Sequence, residues 1–428
     1  MKVMLIEPDK VAIMKSPPLG LAYVAAVLER EHDVSIVPRP TFDMTLDDVK
    51  RTLEKEAPDV VGMTCVTMTA SEVLKIAALC KQVFPNTVTV VGGIHPTFAY
   101  PQMLHRGCID YIVRFEGEHT MPDLLQHLDN PSQVRGIAYL KDNELVVTPE
   151  RPFIENLDEL PFPARHLLPM HIYEKYSKGN MLSSRGCPYD CLYCSLVRFI
   201  GRKFRVASPE RVLEEIKHLV HEYKVNFVDF VDASFTINRH RTQKICSLIK
   251  KEELNITWRC SSRVDQVTEE LLDIMSESGC VSIFYGVESG VEEILNRSGK
   301  KTPVEEIKNA FKWSKERNIK TTASYIIGLP GETMETALKT LSLIRELESD
   351  EVSPGIFYPF PGTDVYYNPE KYGIQVLYGE TPPFDTLCTP AIKTKELDEN
   401  QLRDLFAEGV FFGKKRSVKG NTHESHCS

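Results

Sequence analysis

A chain of 428 residues is too long for one hydrophobic core and predicts two or three domains. Its formal charge of −9 offers no basic field to recruit nucleic acid or an acidic membrane surface. Eleven cysteines, odd in number and scattered through apolar segments, exclude a compact disulfide framework and point to a reducing, cytoplasmic compartment.

No apolar run approaches the roughly 20 residues of a membrane span. The opening residues 1–6 run straight into Glu7-Pro8-Asp9, which reads as a first strand and not as a secretion signal. From there short β-branched runs alternate with helical periods. Strands are expected at 3–6, 34–37, 60–64, 88–91 and 111–113, and helices at 19–31, 46–56, 70–84 and 118–128. This alternation argues an α/β fold opening with a Rossmann-like domain, a parallel sheet wrapped by helices. Ligands of such sheets bind outside the carboxyl ends of the strands. Those ends carry Pro8, Ser16 to Gly20, Thr64 to Thr67, Gly92-Gly93-Ile94-His95-Pro96 and Phe115 to Glu118. A hairpin over 136–147 closes this domain, 1–150, and a proline-rich linker, 151–178, follows.

A second alternation begins at residue 181. Strands are expected at 181–184, 227–231, 256–261, 281–287, 321–327 and 353–358, and helices at 209–223, 241–253, 269–278, 303–317 and 334–348. Six β/α units are too few for a closed eight-stranded barrel. They suit an open, partial (β/α)6 barrel, 179–375, with its chemistry at the carboxyl ends of the strands. Residues 376–428 read as a short C-terminal tail with one amphipathic helix at 396–412. Lys414-Lys415-Arg416 and His423 to Cys427 look disordered.

Directly after the first barrel strand stand Cys187, Cys191 and Cys194, spaced C-x3-C-x2-C. Thiolates are soft ligands, and a structural zinc site normally closes its shell with a second C-x2-C pair or two histidines. No second pair exists, and the next histidine is His218. Three thiolates leave one iron of a cubane open, and an open metal position is where a substrate or cofactor binds.

The loop resembles the cluster-binding loop of radical SAM enzymes, with Tyr193 at the aromatic position before the third cysteine. The resemblance implies a [4Fe–4S] cluster whose open iron chelates S-adenosyl-L-methionine. Reductive cleavage to a 5′-deoxyadenosyl radical then draws on an external electron donor such as flavodoxin or ferredoxin. In the first domain no G-x-G-x-x-G lies between strand and helix, so a dinucleotide fits poorly. Instead the segments Pro17 to Ala25, Gly92 to Thr97, Glu116-Gly117-Glu118 and Leu157 to Pro163 resemble the cobalamin-binding domain that precedes the barrel in one large subfamily.

That resemblance implies a cobalamin site drawn from Pro17, Gly20, Thr67, Gly92, Gly93, His95, Glu116 and Gly117, with Gly92 and Gly93 clearing a flat corrin face. No histidine sits in D-x-H-x-x-G, so the corrin binds either without a histidine below cobalt or with His95 there. In the barrel, Asp232 is expected to accept from the amino group of S-adenosylmethionine and Arg263 to fork its carboxylate. Glu288 faces the ribose hydroxyls or the amino group, and Gly328 opens space for adenine. Arg185, Arg198, Arg202, Lys203 and Arg205 gather positive charge about the cluster loop, and Tyr358 stands at the substrate mouth.

The activity so implied is methylation of an unactivated carbon or phosphorus centre of a small-molecule or peptide substrate. Oxidative cyclisation or rearrangement, with the cobalamin domain altered or vestigial, is the alternative. A non-catalytic cluster or corrin carrier is a third reading.

Overall fold

The computed structural model describes residues 1–9, 15–378 and 388–417, the last six as helix backbone alone. Of these, residues 1–9 and 15–178, with Phe199–Gly201, form one compact unit, and the other described residues form a second.

In the first unit, Lys2–Glu7 (β1) buries five of its six residues, as a strand covered on both faces must. There follow α1 (Leu19–Leu28), β2 (Asp33–Pro38), α2 (Leu46–Glu56), β3 (Val60–Thr64), α3 (Ala70–Val83), β4 (Val88–Gly92), α4 (Ile94–Leu104), β5 (Tyr111–Val113), α5 (Gly117–Gln126), β6 (Ile137–Lys141) and β7 (Glu144–Val147). The sheet runs β2-β1-β3-β4-β5-β6-β7, parallel as far as β5 and antiparallel in the closing hairpin. Strand order reverses between β1 and β3, which puts the ligand crevice at the carboxyl ends of those strands. Met4, Ile6, Met63 and Val91 pack with Val73, Ile76 and Ala77 of α3 in one core.

Two local features depart from the expected elements. Helix α4 occupies a stretch with no expected helix, because Pro96 and Pro101 mask its period. Pro96 falls in the first turn, where no intrahelical N–H is missed, and Ala99 (φ −112°) kinks the backbone before Pro101. The proline-rich stretch after 150 is tied into the first unit. The Ile154 N–H donates to Glu116 Oε2 at 2.6 Å, and the Ala164 N–H to the Ala22 carbonyl at 2.9 Å.

After the single turn α6 (Lys175–Lys178) come, in the second unit save for Phe199 and Ile200, β8 (Asn180–Met181), β9 (Ser184–Arg185), α7 (Leu196–Ile200), β10 (Arg205–Val206), α8 (Pro209–Tyr223), β11 (Phe227–Phe230), α9 (Arg239–Lys251), β12 (Thr257–Ser262), α10 (Glu269–Glu277), β13 (Cys280–Glu288), α11 (Glu292–Arg297), α12 (Val304–Glu316), β14 (Lys320–Ile327), α13 (Met334–Glu346) and β15 (Glu351–Ile356). Six parallel strands lie in chain order, β8-β11-β12-β13-β14-β15, and β8 does not pair with β15. Right-handed crossovers in such an order put every helix on one face of the sheet. Burial agrees: Trp258, Cys260 and Ser262 of β12 are covered, while Thr257, Arg259 and Ser261 on the opposite face are half-buried. The expected first strand at 181–184 is broken. Chain direction changes at Leu182-Ser183, and Ser184–Arg185 pairs antiparallel with Arg205–Val206.

Beyond β15 come α14 (Asp364–Tyr367), the antiparallel pair β16 (Ile374–Val376) and β17 (Ile392–Thr394), and α15 (Glu399–Ser417). The helix runs on through Lys414-Lys415-Arg416, which the sequence reads as disordered. Basic side chains are good helix formers and suit a helix carboxyl end. Leu402 of α15 fills the space beside Gly328, 2.8 Å from where a Cβ would stand, and Gly409 lets the helix close onto Tyr325. The 423–427 segment lies outside the described residues. No helix among the described residues is long and apolar enough to cross a membrane.

Candidate functional site

Cys187, Cys191 and Cys194 lie in the loop from β9 to α7, all half-buried and free. A turn joins the last two (Cys194 N–H to Cys191 carbonyl, 3.0 Å), and the Leu192 N–H anchors the loop to the Ser298 carbonyl at 2.8 Å. Gly299, at φ +77°, supports that anchorage, since a Cβ there would stand 2.6 Å from the Asp190 carbonyl oxygen. Burial pushes the Cys194 thiol up to about 11, against N–H donors from Val197 and Leu196 at the start of α7. Burial also raises Cys187, opposed by the Tyr189 N–H and by the charges of Arg263 and Lys300.

Soft donors, N–H groups aimed at sulfur and two nearby cations form the setting that thiolate ligands of an iron–sulfur cluster need, so the residues fit the group. Among the described residues no three His, Cys, Asp or Glu side chains are placed to hold a single metal ion. A cubane takes one thiolate per iron, so its ligands have no common point to meet.

Around this loop the structure gathers Tyr193, Arg263 and Glu288. Glu288 sits at φ +65°, beside a register shift after Gly286, a bulge that re-aims the side chain. It accepts from Lys300 Nζ at 3.1 Å in a buried pair, and Gly286 leaves room for it, since a Cβ would stand 2.7 Å from that ammonium. The Tyr193 phenol is raised well above its ordinary range by burial and then by the Glu288 charge.

Asp232 is buried and satisfied within the chain. One oxygen accepts from Ser183 Oγ at 3.0 Å and from the Ser184 hydroxyl, the other from the Ser183 N–H at 3.3 Å. Its carboxyl is raised by burial, opposed by Ser184 and Arg241. As placed it fastens the break between β8 and β9. Gly328, at φ +86°, donates its N–H to Glu332 Oε2 at 2.6 Å. Of the basic residues near the loop, Arg198 and Arg202 pair with Asp190 at 2.8 and 3.1 Å. Tyr358 is buried, stacked on Tyr378 (5.4 Å, 12°) and tilted against Phe360. Sequence reasoning missed Lys300, Ser183, Ser184 and Asp265, which carry no motif of their own.

In the first unit the carboxyl edge of the sheet brings together Thr67, Gly92, Gly93 and His95. His95 Nδ1 meets Thr67 Oγ1 at 3.2 Å, and burial holds the imidazole down at about 4, hence neutral near pH 7. Gly93 (φ +109°) has an internal reason to be glycine: a Cβ would stand 2.6 Å from the Cys65 carbonyl oxygen. Gly92 has no such requirement, with ordinary contacts at 3.6 Å, and Gly20 opens on empty space within 4 Å. Pro17 lies just ahead of α1, and Gly20 sits in its first turn. A broad ligand lies against such a surface without meeting side chains, so this edge fits a corrin. Glu116 is turned toward Ile154, and Gly117, packed against Val24, opens α5. Thr97, the last residue of the Gly92–Thr97 segment, joins the β4 and β5 loops by donating to the Gly93 carbonyl (2.8 Å) and accepting from the Phe115 N–H (3.0 Å).

A cysteine loop at the head of one open parallel sheet, and a glycine-lined edge on another, define an enzyme with two cofactor sites. The Radical SAM superfamily model matches residues 181–344, and the B12 binding domain model matches residues 11–125. The chain belongs to the radical SAM enzymes that carry an amino-terminal B12-binding domain, whose cofactors are a [4Fe–4S] cluster, S-adenosylmethionine and cobalamin. It is 36% identical over 443 residues to an uncharacterised methyltransferase of Pyrococcus horikoshii, covering 100% of this chain and 95% of that one. It is 32% identical over 404 residues to the anaerobic magnesium-protoporphyrin IX monomethyl ester cyclase of Rubrivivax gelatinosus, covering 91% and 72%. The fold is also that of the radical S-adenosylmethionine methyltransferase TsrM from Kitasatospora setae, solved with cobalamin and a [4Fe–4S] cluster. The TM-score is 0.75 at 17% identity, covering 89% of this chain and 81% of that one.

Proposed function

We propose that this enzyme methylates an unactivated carbon or phosphorus centre of a small-molecule or peptide substrate. When bound, the cluster with S-adenosylmethionine supplies a hydrogen-abstracting adenosyl radical, and cobalamin supplies the methyl group. The chain contributes ligation, orientation and exclusion of water. Cys187, Cys191 and Cys194 ligate. The buried Glu288–Lys300 pair fixes a carboxylate beside Tyr193 for the polar groups of S-adenosylmethionine. Thr67, His95 and the open surface at Gly20 and Gly92 receive the corrin. A flavodoxin or ferredoxin serves as electron donor, and the ten free thiols among the described residues suit a cytoplasmic setting.

One observation carries this reading: the same chain holds both the three-thiol loop and an intact, glycine-lined edge on its other sheet. The likeness to a methyltransferase over nearly the whole of both chains supports methyl transfer. The test is product analysis after anaerobic reconstitution. The expected result is a gain of one methylene in the substrate, with 5′-deoxyadenosine and S-adenosylhomocysteine both released. Oxidative ring closure is the second reading, favoured by the 32% identity to the cyclase of Rubrivivax gelatinosus. Turnover with 5′-deoxyadenosine but never S-adenosylhomocysteine establishes it in place of methylation.

A further inference from the structure

Arg263 was expected to fork the carboxylate of S-adenosylmethionine, yet the structure commits its guanidinium elsewhere. Nε donates to Asp265 Oδ1 at 2.9 Å. Nη2 donates to Asp265 Oδ2 at 2.6 Å, to the Lys300 carbonyl at 2.8 Å and to Thr302 Oγ1 at 3.1 Å. Nη1 points at Cys191 Sγ, 4.0 Å away. Of the five N–H bonds of a guanidinium, one on Nη1 is left, and a fork to another carboxylate needs two. The plane is fixed as well as the edge. The guanidinium carbon lies 3.8 Å from the centroid of the Tyr189 ring, inside the cysteine loop, and Gln266 Nε2 holds the Tyr189 hydroxyl. Arg263 is 6% exposed, so its charge is little screened by water.

We propose that Arg263 is a positioning residue of the iron–sulfur cluster. It clamps the loop through Tyr189 and donates to the Cys191 thiolate, and its cation favours the reduced cluster. The inference rests on the functional reading above. Reduction adds an electron beside a fixed positive charge, which stabilises the reduced state. Asp265 offsets part of that charge, so the two residues set the potential in opposite directions.

The test uses full-length chain reconstituted anaerobically with iron and sulfide. The cluster is titrated by electron paramagnetic resonance without S-adenosylmethionine. Arg263→Gln is expected to lower the ratio of reduced to oxidised cluster about tenfold at the wild-type midpoint, about 59 mV for a one-electron couple. Arg263→Lys, which keeps the charge, stays within about threefold of wild type. Asp265→Asn raises the ratio. An unmoved ratio in Arg263→Gln, with a tenfold rise in the S-adenosylmethionine concentration needed for half-maximal 5′-deoxyadenosine release, overturns the assignment in favour of a carboxylate clamp. If Arg263→Gln takes up no cluster, Asp265→Asn decides: a raised ratio supports the assignment and an unchanged one ends it. Wild-type protein that incorporates zinc in place of iron and sulfide overturns the functional reading itself. An intact cluster with unmoved potentials overturns the role of Arg263 alone.

Discussion

Replacing Glu332 by glutamine isolates the energetic consequence of one buried carboxyl in the second unit. Glu332 is 0% exposed, and its Oε2 accepts the Gly328 N–H while Oε1 has no hydrogen-bond partner. Burial raises this carboxyl from 4.5 to about 8, with the N–H groups of Gly328 and Leu329 opposing. In the unfolded chain the group ionises near 4.5, whereas the folded chain keeps its proton to about 8. The unfolded state therefore binds fewer protons across that window, and stability falls as pH rises through it. At about 1.4 kcal/mol per pH unit, the second unit loses about 3–5 kcal/mol between pH 4.5 and 8 from this group.

A glutamine carbonyl keeps the Gly328 bond and carries no charge at any pH. Glu332→Gln should therefore lie within about 1–2 kcal/mol of wild type at pH 5, allowing for a buried amide donor. It should overtake wild type by about 3 kcal/mol approaching pH 8. Urea melts of cofactor-free protein, followed by tryptophan fluorescence, read this cleanly. Trp258 and Trp313, the two tryptophans of the chain, both lie in the second unit. Parallel stability-against-pH curves for the two proteins would refute the reasoning, because they would mean that Glu332 ionises in the folded state as it does in water.

Two further predictions concern the first unit. His95, held at about 4 by burial, stabilises the fold fully above its unfolded value of 6.5, and that contribution of about 3 kcal/mol is lost as pH falls toward 4. Amide exchange in β4 and α4 should accelerate on acidification in wild type more than in His95→Gln, and equal acceleration would count against a buried neutral imidazole. Gly93→Ala should cost at least about 1–3 kcal/mol from its left-handed backbone alone, and more from the Cys65 carbonyl. Gly20→Ala, whose Cβ enters open space, should melt within a degree or two of wild type by circular dichroism. Equal losses in the two variants would remove the distinction drawn between them.

The sequence made the architecture legible where local chemistry is periodic. Alternating β-branched and helical runs located both parallel sheets, and the three cysteines located the chemistry, since soft ligands at close spacing are a local signal. What escaped is non-local. Helix α4 was hidden by Pro96 and Pro101, although only its kink at Ala99 records their presence. Lys300 stands 12 residues from Glu288, and Ser184 stands 48 from Asp232, so no spacing rule joins them. Arg263 reads from the sequence as a forked donor, but the acceptors it meets in the fold do not follow from any spacing. The neighbours that use up its N–H groups, Asp265, Lys300 and Thr302, come together only once β12 and the turn after α11 are packed.

An unclosed sheet has two margins, and an unprotected margin can recruit a foreign strand. Here one margin is β8, two residues long, and the other is β15, where Pro354 has no N–H to offer an incoming chain. Both devices disfavour the addition of a strand from another chain.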